Sequence, residues 1–474
     1  MPFNQTKIVC TIGPASESKE MMRKLIQNGM DTMRLNFSHS NYEEHEIRLN
    51  TLIELNEELN TNVASLLDTK GPEIRTHGFK GGKAHITVGS QVDVYMDEIE
   101  GDETRFSVSY PELYKDVEIG GVIVVDDGYL SLKVEDIDEE NRIIKTTSFN
   151  THTIRDKRGI NVPGMMLNLD FVSEKDHQDI VWACEHGIDF IAASFVRRKE
   201  DVEEIREIIK KHTDKYIQII AKIENQEGVN NIEDIITVSD GVMIARGDLG
   251  VEVPPEEVPV IQKDIIARCH AAGKISITAT QMLESMQEHP KPTRAEVSDV
   301  ANAILDGTDA IMLSGESAIG NYAIESVKMM CDIALRMEKE LRRDLMISRA
   351  NRSNTKDIPS NIAMSAAHAV LQGQADLVIA PTVSGMTARL LSKNRPNTMI
   401  LALVPSNEKA RSLALHHGIN AIEFHLGYDT ESLVKRSIEY VKKENMLEPG
   451  GRVIITGGFP LGTTTNSLRI MDIK

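Results

Sequence analysis

Eight short runs of apolar, often β-branched residues recur in the first two-thirds of this 474-residue chain, separated by segments with helical spacing. The runs are Lys7–Ile12, Met33–Phe37, Val63–Leu67, Phe190–Phe195, Ile217–Ile223, Gly241–Ala245, Ile275–Ala279 and Ala310–Leu313. Strands that are apolar on both faces and alternate with helices predict a parallel sheet covered by helices. Eight such units predict an α/β fold in which the sheet closes into a (β/α)8 TIM barrel.

Two segments depart from this repeat. Between about Gly71 and Gly164, short strands alternate with turns, which predicts an all-β insert between the third and fourth barrel strands. Its expected strands include His85–Tyr95, Gly121–Val125 and Tyr129–Val134. After a charged, Ser- and Asn-rich joint around Glu338–Pro359, strand and helix patterns resume and predict a C-terminal α/β domain. We expect a barrel of residues 1–70 and 165–340, a β-barrel lid of residues 71–164, and a C-terminal domain of residues 341–474.

Composition excludes several functional classes. Lys and Arg (53) are outnumbered by Asp and Glu (72), and the net charge of −19 argues against a nucleic-acid-binding surface. Four widely spaced cysteines predict neither a disulfide framework nor a zinc site. The chain has no apolar run near the ~18 residues that would span a membrane, and its start does not resemble a signal peptide, so we expect a cytoplasmic protein. Dinucleotide-binding, P-loop and zinc-protease motifs are also absent from the sequence.

Polar side chains follow several barrel runs at the spacing that places them on one face of a strand. They are Arg34, Asn36 and Ser38; Asp68 and Thr69; Lys222 and Glu224; Arg246 and Asp248; and Thr278 and Thr280. Because active sites of such barrels lie at the carboxyl ends of the strands, we expect these groups to converge on one mouth.

The residue types indicate the chemistry of this mouth. Glu224 and Asp248 supply the hard oxygen ligands that Mg²⁺ or Mn²⁺ prefers. The alternative is that these carboxylates form ion pairs with Lys222 or Arg246. Four further residues offer neutral oxygens and one carboxylate suited to a monovalent cation, namely Asn36, Ser38, Asp68 and Thr69. Cations suited to a phosphate or carboxylate substrate are Arg34, Arg75 and Lys222.

Motifs from the whole barrel and its insert, in order, resemble the pyruvate kinase family. They are KIVCTIGPAS (residues 7–16), MRLNFSH (33–39), LDTKGPEIR (67–75), GINVPG (159–164), KIEN (222–225), ARGDLG (245–250), TATQML (278–283) and MLSGES (312–317). The resemblance implies a barrel, a β lid and a C-terminal domain for effector binding and oligomerisation. It is closest to short bacterial forms, since the chain ends at Lys474 without the extra C-terminal domain that some members append.

The resemblance implies a reaction that moves the phosphoryl group of phosphoenolpyruvate to ADP, giving pyruvate and ATP in the last step of glycolysis. The implied catalytic residues are Lys222, Thr280 and Arg34, and the implied substrate contacts are Arg34, Lys222, Gly247, Asp248 and Thr280. Glu224 and Asp248 would hold Mg²⁺ or Mn²⁺, whereas Asn36, Ser38, Asp68 and Thr69 would hold K⁺. Glu73 is typical of the K⁺-dependent branch, because K⁺-independent members carry lysine there.

The nucleotide and effector contacts follow from the same resemblance. Asn36, Phe37, Ser38, His39 and Arg75 would contact ADP or ATP, together with Arg158, which stands where the family usually has lysine. Hydroxyl-rich loops of the C-terminal domain would bind a phosphorylated allosteric effector through Thr382, Ser384, Gly385 and Thr387, although ordinary helix capping also explains these residues. A second loop contains Gly457, Gly458 and residues 462–465. Family resemblance also implies a homotetramer.

Two other functions are compatible with these residues. A metal-dependent aldolase or lyase that forms an enolate would use the same carboxylates, but it leaves the β insert and the C-terminal domain unexplained. A non-catalytic effector-binding relative would keep the fold, yet Lys222 and both metal carboxylates are present.

Overall fold

The barrel is closed, as the repeat predicts. The structure, a computed structural model, describes residues 3–350, 357–427, 429–448 and 450–473. Eight parallel strands form the barrel, and we number them one to eight in chain order. They are Lys7–Thr11, Thr32–Asn36, Ala64–Asp68, Phe190–Ala193, Gln218–Ile223, Gly241–Ala245, Ile275–Ala279 and Ala310–Leu313. All eight predicted apolar runs therefore form barrel strands.

Helices follow the strands of the barrel. They are Lys19–Gln27, Tyr42–Leu59, Glu174–His186, Lys199–His212, Gln226–Asn230, Ile232–Val238, Arg246–Glu252, Val258–Ala272, Arg294–Asp306, Gly315–Ala318 and Ala323–Met337, with 3₁₀ turns at Glu284–Gln287 and Glu338–Glu340. Three of the helices end at Gly187, Gly273 and Gly307, whose positive φ angles close the helix just before the next strand. Because strands and helices bury apolar faces against each other, the carboxyl ends of the strands are held at one rim.

The insert contains a larger and a smaller sheet, and the two edge strands of the larger sheet are joined by an antiparallel bridge between Thr76 and Val108. The larger sheet has seven strands: Ile74–Arg75, Gln91–Tyr95, Arg105–Ser107, Val122–Val125, Leu130–Asp138, Ile143–Ser148 and Gly159–Asn161. The smaller sheet pairs Lys83–Ile86 with His152–Arg155. The predicted strand His85–Tyr95 is therefore two strands in different sheets, separated by a turn. The insert also contains one helical turn at Leu113–Asp116 and a 3₁₀ turn at Lys80–Gly82.

The C-terminal part is an α/β layer with a five-stranded sheet. The strands are Leu377–Pro381, Ile400–Val404, Ile419–Glu423, Arg452–Gly457 and the antiparallel edge strand Ser467–Asp472. Its helices are Ile358–Leu371, Met386–Lys393, Asn407–Arg411 and Thr430–Lys443. The charged joint before it includes a helix, Arg343–Ala350, and residues 351–356 of that joint lie outside the described residues.

None of the helices in the described ranges combines the length and the apolar character that crossing a membrane requires.

Candidate active site

The rim of the barrel holds a buried arginine–aspartate pair from strands two and three. The Arg34 Nε donates to Asp68 Oδ2 at 2.6 Å, and its Nη1 donates to Thr11 Oγ1 at 2.9 Å. Adjacent parallel strands bring the two side chains together, since Asn36 and Asp68 are register partners in the sheet. The guanidinium is thus fixed at the mouth with its charge balanced by a carboxylate.

Lys222, near the end of strand five, stands at the centre of the charged groups. Its Nζ donates to Asp68 Oδ1 at 3.0 Å and to Ser194 Oγ at 2.7 Å, and lies 3.0 Å from Glu224 Oε1. Burial alone would lower the pKa of Lys222, but the charges of Asp68 and Glu224 outweigh burial and raise it. The side chain is therefore an ammonium held between two carboxylates.

The two carboxylates predicted to hold a divalent metal are adjacent. Glu224 Oε2 accepts a hydrogen bond from the backbone N–H of Phe195 at 2.7 Å, and Glu224 and Asp248 are close enough to affect each other's charge. Burial raises the pKa of both carboxyl groups, and the charge of Asp248 helps to raise that of Glu224 to about 7. Two buried, mutually repelling carboxylates fit a divalent cation, which would neutralise both and keep positions for substrate oxygens.

The ion-pair alternative for these carboxylates is borne out in part. Glu224 does pair with Lys222, but Asp248 does not pair with Arg246, which forms its ion pair with Asp299 at 2.7 Å. The prediction that Arg246 and Asp248 share one strand face is wrong, because strand six ends at Ala245 and a helix begins at Arg246. The chain turns into a helix at this point, so side-chain direction no longer alternates.

Thr280 lies in a left-handed turn that follows strand seven. Its φ is +66°, and that of Gln281 is +53°, values that a β-branched residue such as threonine rarely adopts. The Thr280 hydroxyl donates to the carbonyl oxygen of Ala279 at 2.6 Å and accepts from the backbone N–H of Gly247 at 2.8 Å. Gly247 and Thr280 are thereby joined beside Asp248.

The residues predicted to hold a monovalent cation lie at the ends of strands two and three. Asn36 Oδ1 accepts from the backbone N–H of Ser38 at 3.2 Å, and Thr69 Oγ1 accepts from the backbone N–H of Ser194 at 3.1 Å. Burial would raise the pKa of Asp68, but the charges of Arg34 and Lys222 outweigh it and lower that pKa. An ionised carboxylate beside amide and hydroxyl oxygens is a donor set compatible with K⁺.

The predicted nucleotide contacts fall into two groups. Phe37 is 2% exposed and its ring stacks on His45 at 4.1 Å, so its side chain is not available to a ligand, whereas His39 is exposed. Arg75 and Arg158 belong to the insert, where the first pairs with Glu73 at 2.8 Å and the second lies 3.5 Å from Asp126.

A cavity of about 270 Å³ separates the insert from the barrel. Asp248 and Phe195 line its barrel side, and Asn161 lines its insert side. The insert and the barrel are connected directly here, because Asn161 Nδ2 donates to Glu252 Oε1 at 2.8 Å. Glu252 is the last residue of the helix Arg246–Glu252, which also carries Asp248.

Sequence analysis missed three residues that shape the mouth: Thr11, Ser194 and Phe195. Ser194 Oγ donates to Asp68 Oδ1 at 3.2 Å and to the carbonyl oxygen of Thr69 at 2.7 Å while accepting from Lys222. Ser194 follows strand four directly, so the rule that selected polar residues at strand ends could have found it. Phe195 acts through its backbone N–H, which no residue-type pattern indicates.

Three of the four predicted effector residues, Thr382, Ser384 and Thr387, line a separate cavity of about 360 Å³ in the C-terminal part, whereas Gly385 does not. Thr382 Oγ1 accepts from the backbone N–H of Gly385 at 3.1 Å, and Ser384 Oγ accepts from that of Met386 at 3.4 Å. The Thr387 hydroxyl is 2.7 Å from that of Thr465. The opposite wall consists of residues 458 and 461–465, so the two hydroxyl-rich loops face each other. Thr382 and Ser384 contact backbone N–H groups of their own turn, but Gly385, the N-cap residue of the helix Met386–Lys393, offers no side-chain cap.

The elevated pKa of Glu224 predicts that metal binding depends on pH. A divalent cation must displace the proton that the Glu224 carboxyl holds below about pH 7. We expect the Mg²⁺ or Mn²⁺ affinity to fall by roughly tenfold per pH unit below 7 if one proton is displaced. Calorimetric titration between pH 5.5 and 8.5, in buffers of different ionisation enthalpy, would count the protons released. An affinity that stays constant from pH 7 to pH 6 would contradict this prediction.

Comparisons with known proteins agree across the chain. Residues 3–327 match the family model described as the pyruvate kinase barrel domain, and residues 360–471 match the pyruvate kinase alpha/beta domain. Pyruvate kinase of Bacillus licheniformis is 47% identical over 470 residues, which cover 99% of this chain and 80% of the relative. Pyruvate kinase of Geobacillus stearothermophilus is 47% identical over 473 residues, with the same shares covered.

A solved structure has the same fold. The crystal structure of a pyruvate kinase from Cryptosporidium parvum superposes with a TM-score of 0.95 at 38% identity, covering 99% of this chain and 96% of that one. These matches account for the inserted sheets and the C-terminal layer, which an aldolase or lyase left unexplained. The chain belongs to the pyruvate kinase family.

Proposed function

We propose that this chain transfers the phosphoryl group of phosphoenolpyruvate to ADP, giving pyruvate and ATP. The observation that carries the proposal is the position of Lys222, whose ammonium is hydrogen-bonded to Asp68 and paired with Glu224 beside Asp248. Phosphoryl transfer needs positive charge fixed where negative charge develops, and a preorganised buried ammonium supplies it. Family membership and this geometry support the same reaction.

We propose that substrate binds over this charged group. Arg34 and Lys222 are the cations for the phosphate and carboxylate of phosphoenolpyruvate. The opposite wall of the substrate site is formed by Gly247, Asp248 and Thr280. Arg34 is held by Asp68 and Thr11, so little side-chain freedom remains to be lost when substrate binds. Lys222 then offsets the charge that develops on the transferring group, and the protein contributes mainly position and electrostatics.

Thr280 is proposed to complete the reaction by protonating the enolate of pyruvate at its methylene carbon. The hydroxyl gives its proton to this carbon while taking one from a water that is itself reprotonated from solvent, so a C–H bond forms, the carbonyl is restored, threonine is regenerated and one proton is consumed from solution. A threonine hydroxyl is too weak an acid to act without such a water.

Mg²⁺ or Mn²⁺ would be held by Glu224 and Asp248, and K⁺ by Asn36, Ser38, Asp68 and Thr69. When bound, the divalent ion would neutralise charge on phosphoryl oxygens. The nucleotide would be contacted by residues 36–39 and by Arg75 and Arg158 of the insert. These assignments rest on the donor chemistry and on family resemblance.

The C-terminal cavity would bind a phosphorylated effector through Thr382, Ser384, Gly385 and Thr387, since backbone N–H groups and hydroxyls suit a phosphate. A homotetramer, a cytoplasmic location and the three-domain division at residues 70, 164 and 340 stay predictions.

The proposal predicts ATP formation from phosphoenolpyruvate and ADP in an assay that couples pyruvate to lactate dehydrogenase. We expect activity only with a divalent cation, and stimulation when K⁺ replaces a large organic cation in the buffer. Adding sugar phosphates or AMP should shift the phosphoenolpyruvate saturation curve if the C-terminal cavity binds effectors. If no ATP forms, the proposed function is wrong. If the protein is active but does not respond to any effector, the phosphoryl transfer stands and the hydroxyl-rich loops are better explained by helix capping.

A further inference from the structure

Arg246 lies behind the proposed proton donor and not beside the substrate. It is 9% exposed and directly precedes Gly247 and Asp248. Its guanidinium reaches the turn after strand seven and contacts three successive carbonyl oxygens of that turn. Nη2 donates to Thr280 O at 2.8 Å and to Gln281 O at 3.2 Å, and Nε donates to Ala279 O at 3.4 Å.

This turn needs support from its surroundings. Thr280 and Gln281 both have positive φ, and consecutive non-glycine residues in the left-handed region persist only where neighbouring groups hold them. A planar guanidinium, with five N–H donors in fixed directions, can bind several carbonyls at once. A lysine ammonium on a flexible stem cannot reproduce that arrangement.

The guanidinium is itself anchored from the outside of the barrel. Its Nη1 donates to Asp299 Oδ1 at 2.7 Å and lies 3.3 Å from Gln262 Oε1, and its Nη2 is 2.7 Å from Asp299 Oδ2. Asp299 belongs to the helix Arg294–Asp306 and Gln262 to the helix Val258–Ala272. The turn is therefore tied through Arg246 to two long helices.

We propose that Arg246 is a positioning residue that fixes the Thr280 hydroxyl for proton delivery to the enolate. Two successive residues act on the same threonine: Arg246 holds its carbonyl, and the N–H of Gly247 holds its hydroxyl at 2.8 Å. The next residue is the metal-site carboxylate Asp248, so the distance between hydroxyl and metal site is set within one short segment. This inference rests on the proposed function, in which Thr280 supplies the proton.

A double-mutant cycle tests the inference, with Arg246→Gln, Thr280→Val and both together. Two rates are measured for each protein: pyruvate formation, and incorporation of solvent deuterium into the pyruvate methyl group in the presence of ATP, Mg²⁺ and K⁺. We expect Arg246→Gln to lower deuterium incorporation by roughly 10²-fold, the scale of a misplaced catalytic group. In the Thr280→Val background, Arg246→Gln should lower deuterium incorporation almost no further, because the hydroxyl that Arg246 positions is absent.

If the fold-loss of deuterium incorporation in the double variant equalled the product of the two single-variant losses, the inference would be overturned. Normal deuterium incorporation by Arg246→Gln would also overturn it. If that variant does not fold, Arg246→Lys replaces it, and we expect at least a ~10-fold loss of deuterium incorporation because an ammonium with three donors cannot hold the three carbonyls and Asp299 at once. Wild-type incorporation by Arg246→Lys would equally overturn the inference. Full incorporation by Thr280→Val alone would contradict the proposed role of Thr280 and this inference together, while leaving phosphoryl transfer intact.

Arg206→Gln is the matched control. Arg206 also holds a backbone carbonyl and a carboxylate, donating to Ile217 O at 2.7 Å and to Asp240 Oδ2 at 2.6 Å. Both partners precede strands five and six, so they lie at the opposite end of the barrel from the mouth. We expect reduced thermal stability with unchanged deuterium incorporation. If Arg206→Gln lost as much deuterium incorporation as Arg246→Gln, the effect of Arg246→Gln would be explained by general destabilisation of the fold.

Discussion

Replacing Lys222 with alanine is expected to lower kcat by at least roughly 10²–10³-fold, the scale for losing one preorganised charge-stabilising group. The ammonium is hydrogen-bonded to Asp68 and Ser194 and paired with Glu224, so its position is fixed before substrate binds. A positive charge placed in advance stabilises the charge of the transition state without further reorganisation. The measurement is steady-state kinetics with phosphoenolpyruvate, ADP, Mg²⁺ and K⁺ at saturation.

Lys7→Ala is the matched control for this variant. Lys7 is also a buried lysine in a barrel strand, and its Nζ lies 3.3 Å from Asp31 Oδ1, but it begins strand one at the end away from the mouth. We expect thermal stability to fall in both variants, because each loses a largely buried ion pair. The kcat of Lys7→Ala should stay within about twofold of the parent, on the scale of a change remote from the chemistry. Near-normal turnover in Lys222→Ala would remove Lys222 from the mechanism.

The second large effect is expected from Glu224→Gln. The amide keeps the shape of the side chain, and its one oxygen can still accept a hydrogen bond from either Lys222 or the Phe195 N–H, but the change removes the negative charge that a divalent cation needs. We expect turnover at fixed Mg²⁺ to fall by roughly 10²-fold or more, with partial recovery as Mg²⁺ is raised. Activity is measured as a function of Mg²⁺ concentration, with direct titration of Mn²⁺ binding beside it.

Glu316→Gln provides the comparison at another buried glutamate. The Glu316 carboxylate accepts from the backbone N–H groups of Leu283 at 3.1 Å and Ser314 at 2.8 Å, which are structural contacts. We expect its Mg²⁺ dependence to match that of the parent even if its stability falls. If Glu224→Gln also kept the parental Mg²⁺ dependence, Glu224 would not be a metal ligand.

The barrel was predictable because its signal is repeated and local. Each strand is buried on both faces and so appears as an apolar run, and the polar residues that end those runs converge once the barrel closes. The pairing of Arg34 with Asp68 and of Lys222 with Glu224 follows from this single rule. Family motifs name further site residues, but the position of polar residues at strand ends is enough to predict that they meet at one rim.

Other features depend on backbone conformation and were not predictable in this way. Arg246 was assigned to a strand face because the residue before it, Ala245, is not a helix-capping residue type and gives no sign that a helix begins there. The insert run at residues 85–95 was assigned to one strand, although a turn at residues 87–90 sends its halves to different sheets. Phe37 lies within a binding motif, yet its ring packs into the core. The alternation of apolar and polar residues in the sequence does not indicate where the chain changes direction.

One short helix carries both Asp248 and the residue that binds the insert, Glu252. Residues 246–252 rise only about 10 Å, with Asp248 in the first turn and Glu252, which holds Asn161 of the insert, at the end. A rigid segment of this length transmits displacement from one end to the other. A displacement of the insert that kept the Asn161 hydrogen bond would therefore act on the helix that holds Asp248. The hydrogen bond between Asn161 and Glu252 thus ties the insert to the same helix that carries Asp248.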